Sequence, residues 1–228
     1  MWSGSLQSVG GVAVVHVVST VDNTLVGDIP VGVNPQMVAF GGSGSYAYVT
    51  NEGGSSISVI DTRTRKMIEA IAVGQTPIGI VASPDTETIY VANSSADEVS
   101  YISVRSQSVI ATVSLPSNPY ALTVAPDGKY VYVVADNPAS GYAISVASKS
   151  VVGTFPIGTQ PRNVVVTPDG ETIYETNVDS SDLYAVNAHI PIGICEDAGK
   201  HGRSSLQHLS HANCRWISFP DDRLSRVP

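Results

Sequence analysis

Gln36, Ile78, Tyr120 and Arg162 each directly follow a proline, recur at a step of 42 residues and differ from one another in every case. The proline is held while the next position varies, which is what a fold-determined scaffold carrying a site looks like. A guanidinium beside a phenol suits a carboxylate or a sugar-like ring, through charge-assisted hydrogen bonds and stacking. The same positions are equally served by side chains that only fill and solvate a channel mouth, since pockets are few per protein. A second set is acidic: Glu52, Asp97, Asp136 and Asp179, joined by Glu98 and Asp182, follow successive copies of one strand. Such a rim suits a cation or a cationic partner, or is a set of solvated loop charges.

The last 39 residues hold the one metal-like spacing, Cys195, His201, His208, His211 and Cys214. Thiolate with imidazole suits zinc, but the spacing matches no standard finger. A Cys195–Cys214 disulfide and an incidental scatter of histidines are the alternatives, and one sequence does not decide among the three. No GxSxG, HExxH or phosphate loop occurs, and no motif calls for a cofactor. His16, in an apolar run, reads as a packed or edge histidine.

What must position these residues is a repeat. YVTN at Tyr48 returns as YVAN at Tyr90, YVVA at Tyr132 and YETN at Tyr174, always 42 residues on. Pro35, Pro77, Pro119 and Pro161 keep the same step, and SPDT, APDG and TPDG follow in phase from Ser83, Ala125 and Thr167. Proline sets φ for the first central turn position and Asp or Gly suits the rest, so these are tight reversals. Between them lie short runs rich in valine, isoleucine, tyrosine and threonine, four per repeat in the second copy: GIVAS, TIYVAN, VSYISV and VIATVSL. A four-stranded unit of this period is the blade of a β-propeller.

The expected fold is therefore all-β, with four 42-residue repeats and an N-terminal half blade. The blades occupy 1–189, with the half blade at 12–32 and the repeats at 33–74, 75–116, 117–158 and 159–189, the last incomplete at its end. An irregular tail, 190–228, either closes the ring or is disordered. The YVTN strand is apolar on both sides, with Tyr46, Tyr48 and Thr50 on one and Ala47 and Val49 on the other. It is expected to be covered on both faces by neighbouring sheets. Loops after the second strand share a face with the lead-in to the next blade. The opposite face carries Arg63, Arg65, Lys66, Arg105 and Lys149, which predicts an acidic rim above a partly basic underside.

Asn51, Asn93 and Asn177 resemble a ligand ring, but Asn at a strand end more often shapes the turn by bonding its own backbone. Glu175 holds a slot where the other copies have Val49, Val91 and Val133. A carboxylate there is expected to face water, since an unpaired buried acid is costly.

The four in-phase copies resemble the YVTN family of β-propeller repeats, and the likeness spans roughly Val12 to Ala188. The resemblance implies an extracellular or cell-surface protein and a closed ring, usually of more blades than this chain supplies. Related propellers act as binding scaffolds, lactonases, a lyase and electron-transfer domains, so the fold does not carry one function. We expect first a noncatalytic binding or surface scaffold, and as the alternative a lactonase-like hydrolase or lyase with its site on the loop face.

With 43% hydrophobic residues in 228, the chain can bury a sizeable core. A net charge of −8 speaks against nucleic acid as partner, even though a member of this family has been associated with single-stranded DNA. No apolar run is long enough to span a bilayer, and the N-terminus lacks the positive flank of a signal peptide. The unmatched half blade points to a homodimer, in which two chains complete one ring.

Overall fold

The computed structural model describes residues 2–9, 12–179 and 181–188, and all the regular sheet structure in them is antiparallel. The first sheet holds β1 (Trp2–Val9), β2 (Val12–Ser19) and β3 (Leu25–Pro30), hydrogen-bonded in that order. Four repeats of one pattern follow, three of four strands and the last of three. The second sheet runs β4 (Pro35–Gly41), β5 (Tyr46–Asn51), β6 (Ser56–Asp61) and β7 (Lys66–Ala72). In the third are β8 (Pro77–Ala82), β9 (Thr88–Asn93), β10 (Glu98–Ser103) and β11 (Ser108–Ser114). The fourth contains β12 (Asn118–Val124), β13 (Tyr130–Asp136), β14 (Ser140–Ser145) and β15 (Ser150–Phe155). The fifth stops at three, β16 (Pro161–Val166), β17 (Thr172–Asn177) and β18 (Asp182–Asn187).

These are propeller blades, and the fold class read from the repeat is the one observed. The N-terminal sheet has one strand more than the two read from the sequence. Trp2–Val9 takes the place beside β2 that the YVTN strand takes beside β6, with Gln7 facing Val14 as Asn51 faces Ser56, although its composition is not strand-like and the step between the two strands is 44 residues rather than 42. Among the described residues, the first sheet lacks an innermost strand and the last lacks an outermost one.

The YVTN strand is buried on both sides, as its composition requires. Tyr48, Val49 and Thr50 have no accessible surface. Tyr48 packs forward with Ile80, Ile89 and Ile102 of the third sheet, whereas Ala47 and Val49 pack backward with Val15 and Val17 of the first. Each sheet is thus one layer in a stack, and full burial of such a side chain stabilises by about 1.5–3 kcal/mol. The cross-strand pairs conserve volume from sheet to sheet. Ile57 faces Ile71 and Val99 faces Val113, while Gly141 faces Phe155. A Cβ on Gly141 would lie 2.2 Å from the Phe155 ring, so the large residue there requires the smallest partner.

Candidate binding site on the inner-strand face

The positions after the periodic prolines lie on a bulge in every inner strand. Pairing jumps between Pro35 and Val38, Pro77 and Ile80, Pro119 and Ala121, and Pro161 and Asn163. Proline has no N–H to donate and the bulge leaves its neighbour out of the ladder, which re-aims that side chain. The bulge also allows close approach of adjacent blades. A Cβ on Gly79 would meet the Tyr120 carbonyl oxygen at 2.7 Å, so glycine sets the spacing of the third and fourth inner strands.

Two pairs of the expected residues come together. Arg162 lays its guanidinium over the Tyr120 ring, 4.7 Å from the centroid, bridging the fourth and fifth sheets. Arg162 is exposed and Tyr120 half-buried. A stacked guanidinium keeps its in-plane donors available for a carboxylate or phosphate. In the second sheet, Gln36 Nε2 donates to Glu52 Oε2 at 2.5 Å, and Asn34 Nδ2 donates to the same oxygen at 2.6 Å. Ile78 is buried. Asp97 and Asp179 are exposed in separate turns, and Asp136 accepts from the N–H of Asn137 at 3.0 Å. Among the described residues no three His, Cys, Asp or Glu side chains gather into a group able to hold a metal ion. The Cys195, His201, His208, His211 and Cys214 set lies outside the described residues.

The asparagines are structural, by a different bond from the one expected. Asn51 and Asn93 make no capping bond to their turns. Asn51 Nδ2 instead donates to Ser58 Oγ at 3.0 Å, and Asn93 Nδ2 to Ser100 Oγ at 2.7 Å, one strand over and fully buried. Ser58 Oγ also accepts the N–H of Gly32 at 3.1 Å. Gly32 and Gly74 are required, because a Cβ would come within 3 Å of the Asn51 and Asn93 side chains. In the fourth sheet all three positions change together, to Pro116, Ala135 and Tyr142. The Tyr142 phenol now reaches Ser117 Oγ at 2.9 Å.

Glu175 corrects the expectation of a water-facing acid, because it is fully buried. Its Oε1 accepts from Gly158 N–H at 2.8 Å and from Asn177 Nδ2 at 2.7 Å. These are the donors that Ser58 serves in the second sheet. The serine slot is Tyr184 in the fifth, so the glutamate supplies the missing acceptor from the neighbouring strand. His16 is a half-buried histidine on the central strand of the first sheet, its Nδ1 lying 2.5 Å from Asp28 Oδ1 on the paired strand.

The underside is less basic than the sequence indicates, since the reversals between first and second strands place Asp85, Asp127, Asp169 and Glu171 there as well. Between the fourth and fifth sheets on that side lies a cavity of about 450 Å³, lined in part by Tyr130, Tyr132 and Ala143. Its signal in the sequence was the in-phase comparison of sheet-facing slots, not of loops.

A family model for YNCE-like beta-propellers matches residues 14–194, and the chain belongs to that family. No curated protein sequence matches it. Among solved structures, hydrazine synthase of Kuenenia stuttgartiensis is 25% identical with a TM-score of 0.70, over 76% of this chain and 56% of that one. A Bacteroides fragilis protein described as a 6-phosphogluconolactonase is 18% identical at a TM-score of 0.65, over 80% of this chain and 65% of its own. Its counterpart from Bacteroides uniformis is 18% identical at 0.67, over 82% and 63%. The chain therefore spans less than two thirds of each of these structures, and at 18% identity the likeness is one of fold.

Proposed function

We propose that the chain is a noncatalytic binding propeller of the YVTN type, working at the cell surface, whose inner-strand face takes a small anionic ligand such as a sugar acid. The stacking of Arg162 on Tyr120 carries this proposal. The guanidinium supplies charge-assisted donors, the phenol supplies a flat wall, and the bulges of four sheets vary the side chain from one inner strand to the next. Gln36 and Glu52, already bonded to one another, form a polar edge for hydroxyl groups. Asp97, Asp136 and Asp179 set the acidic surroundings that repel anions not held by Arg162. The partner at the sheet edges left unpaired among the described residues is a second copy of the chain, and light scattering then reads twice the 23.8 kDa of one chain.

Calorimetric titration with gluconate and its 6-phosphate tests the site. Arg162→Ala is expected to weaken binding at least tenfold, as the loss of a charged hydrogen bond of about 1.5–3 kcal/mol implies. Equal affinity in wild type and variant would remove Arg162 from the site. Lactonase-like hydrolysis is the competing function. Turnover of gluconolactone that disappears in Arg162→Ala or Asp136→Ala would replace binding by catalysis as the conclusion.

A further inference from the structure

Tyr101 and Ala143 occupy the same slot, 42 residues apart, in the third and fourth sheets. Tyr101 is buried, with its ring edge-on to Tyr90 at 4.8 Å and 88°, and it fills the space between its sheet and the next. Ala143 cannot fill the corresponding space. The result is the cavity of about 450 Å³ between the fourth and fifth sheets, within the size range of small-molecule sites. It opens on the face opposite Arg162 and is independent of the function proposed for that side.

The lining has a definite chemistry. Tyr130 and Tyr132 lie stacked in the wall, centroids 6.4 Å apart at 23°, and Val152 adds apolar surface. Asp127, Asp169 and Glu171 line it as well. Asp127 is matched by Lys129, whose Nζ lies 3.0 Å from Oδ2. Asp169 uses only Oδ1 for its turn, accepting from Thr167 Oγ1 at 2.5 Å and Glu171 N–H at 3.0 Å. Two carboxylates thus lie unmatched by any cation among the described residues, beside phenol rings whose faces favour positive charge. An anion is opposed there, and a neutral ligand leaves the carboxylates unused.

The geometry points to a second binding site in this cavity, specific for a small organic cation with an aromatic or aliphatic body, of the arylalkylamine class. The apolar body takes the place of the missing Tyr101-type ring, and the ammonium lies between the phenol faces and the carboxylates of Asp169 and Glu171.

Titration of the full chain with benzylamine, benzyl alcohol and benzoate tests this. Benzylamine is expected to bind most tightly and benzoate least. Glu171→Gln should weaken benzylamine about two- to fivefold, the range for a partly exposed charge pair, and leave benzyl alcohol unchanged. Ala143→Tyr, which installs the residue of the preceding sheet, should abolish binding while circular dichroism stays that of wild type. If that variant fails to fold, Val152→Phe fills the same cavity and carries the same expectation. Absence of benzylamine binding, benzoate binding as tight as benzylamine, or wild-type affinity in a folded cavity-filled variant would each overturn the proposal.

Discussion

Glu175 accepts the side-chain amide of Asn177 at 2.7 Å inside the fifth sheet, where Ser58 accepts that of Asn51 at 3.0 Å inside the second. One acceptor has been exchanged for another from a different strand, with both donors kept.

Glu175→Val restores the residue type of the other three sheets and should nevertheless destabilise. It removes the acceptor from Gly158 N–H and from Asn177, and each orphaned buried donor costs about 1–3 kcal/mol. Glu175→Gln, which keeps an oxygen, should lose less. Thermal melts read the difference at about 2–4 °C per kcal/mol for a chain of this size. A melting temperature raised by Val would show the carboxylate to be a burden.

Asn93→Ala and Ala135→Asn should both destabilise, though each copies the other sheet. The first strips Ser100 of its donor, at about 1–3 kcal/mol. The second forces an amide into a place closed by Tyr142 and Pro116, at about 1–3 kcal/mol of overpacking. Urea titrations of the two variants check this, and a neutral Ala135→Asn would mean that the three positions are not coupled.

How much of this was legible is clear from particular positions. Tyr48 and Val49 read as covered on both faces because strand composition reports two-sided burial directly. The variation after the prolines marked Gln36, Tyr120 and Arg162, but the bulges that aim them depend on pairing between strands, which no local pattern encodes. The burial of Glu175 does not show in a local pattern, because Gly158, 17 residues earlier, reaches it only through the packing of the fold, and Asn177, two residues on in the same strand, gives no sign of being its donor. The cavity escaped notice because Ala143 is unremarkable alone, and its meaning lies in the tyrosine 42 residues earlier.

Gly79→Ala should shift the Tyr120 strand, since the added Cβ meets a carbonyl oxygen that cannot swing aside. The expected destabilisation is about 1–3 kcal/mol, with weaker anion binding at Arg162. Unchanged stability and affinity would show that the inner strands are free to separate.

Acid should weaken the fold through its turns. In the reversals between first and second strands, hydrogen bonds hold three carboxyls below the ordinary aspartate value of 3.8, as they do Asp22 and Asp61 elsewhere: Asp85 through the Ser83 hydroxyl and Glu87 N–H, Asp127 through Lys129, and Asp169 through the Thr167 hydroxyl and Glu171 N–H. A depressed folded pKa means that the unfolded chain binds more protons, so this contribution is present above 3.8 and is lost as pH falls through the folded values. Melting curves between about pH 5 and pH 3 should steepen their decline in wild type and flatten in a variant carrying Asn at 85, 127 and 169. Identical pH profiles would place the acid sensitivity elsewhere.

From β2 onward to the fifth sheet the 42-residue step carries no insertion. A chain that slips by one whole unit while folding therefore keeps every proline, every reversal and every YVTN-like strand in phase, and the punctuation offers no resistance to the error. Discrimination falls to the sheets that break the pattern, the fifth through Glu175 and Tyr184 and the fourth most of all. Pro116, Ala135 and Tyr142 cannot trade places with glycine, asparagine and serine, and Phe155 accepts only Gly141 opposite it. The irregular fourth sheet is an address: it gives an otherwise interchangeable series a single permitted order, and a chain made regular there should populate shuffled, strand-exchanged products.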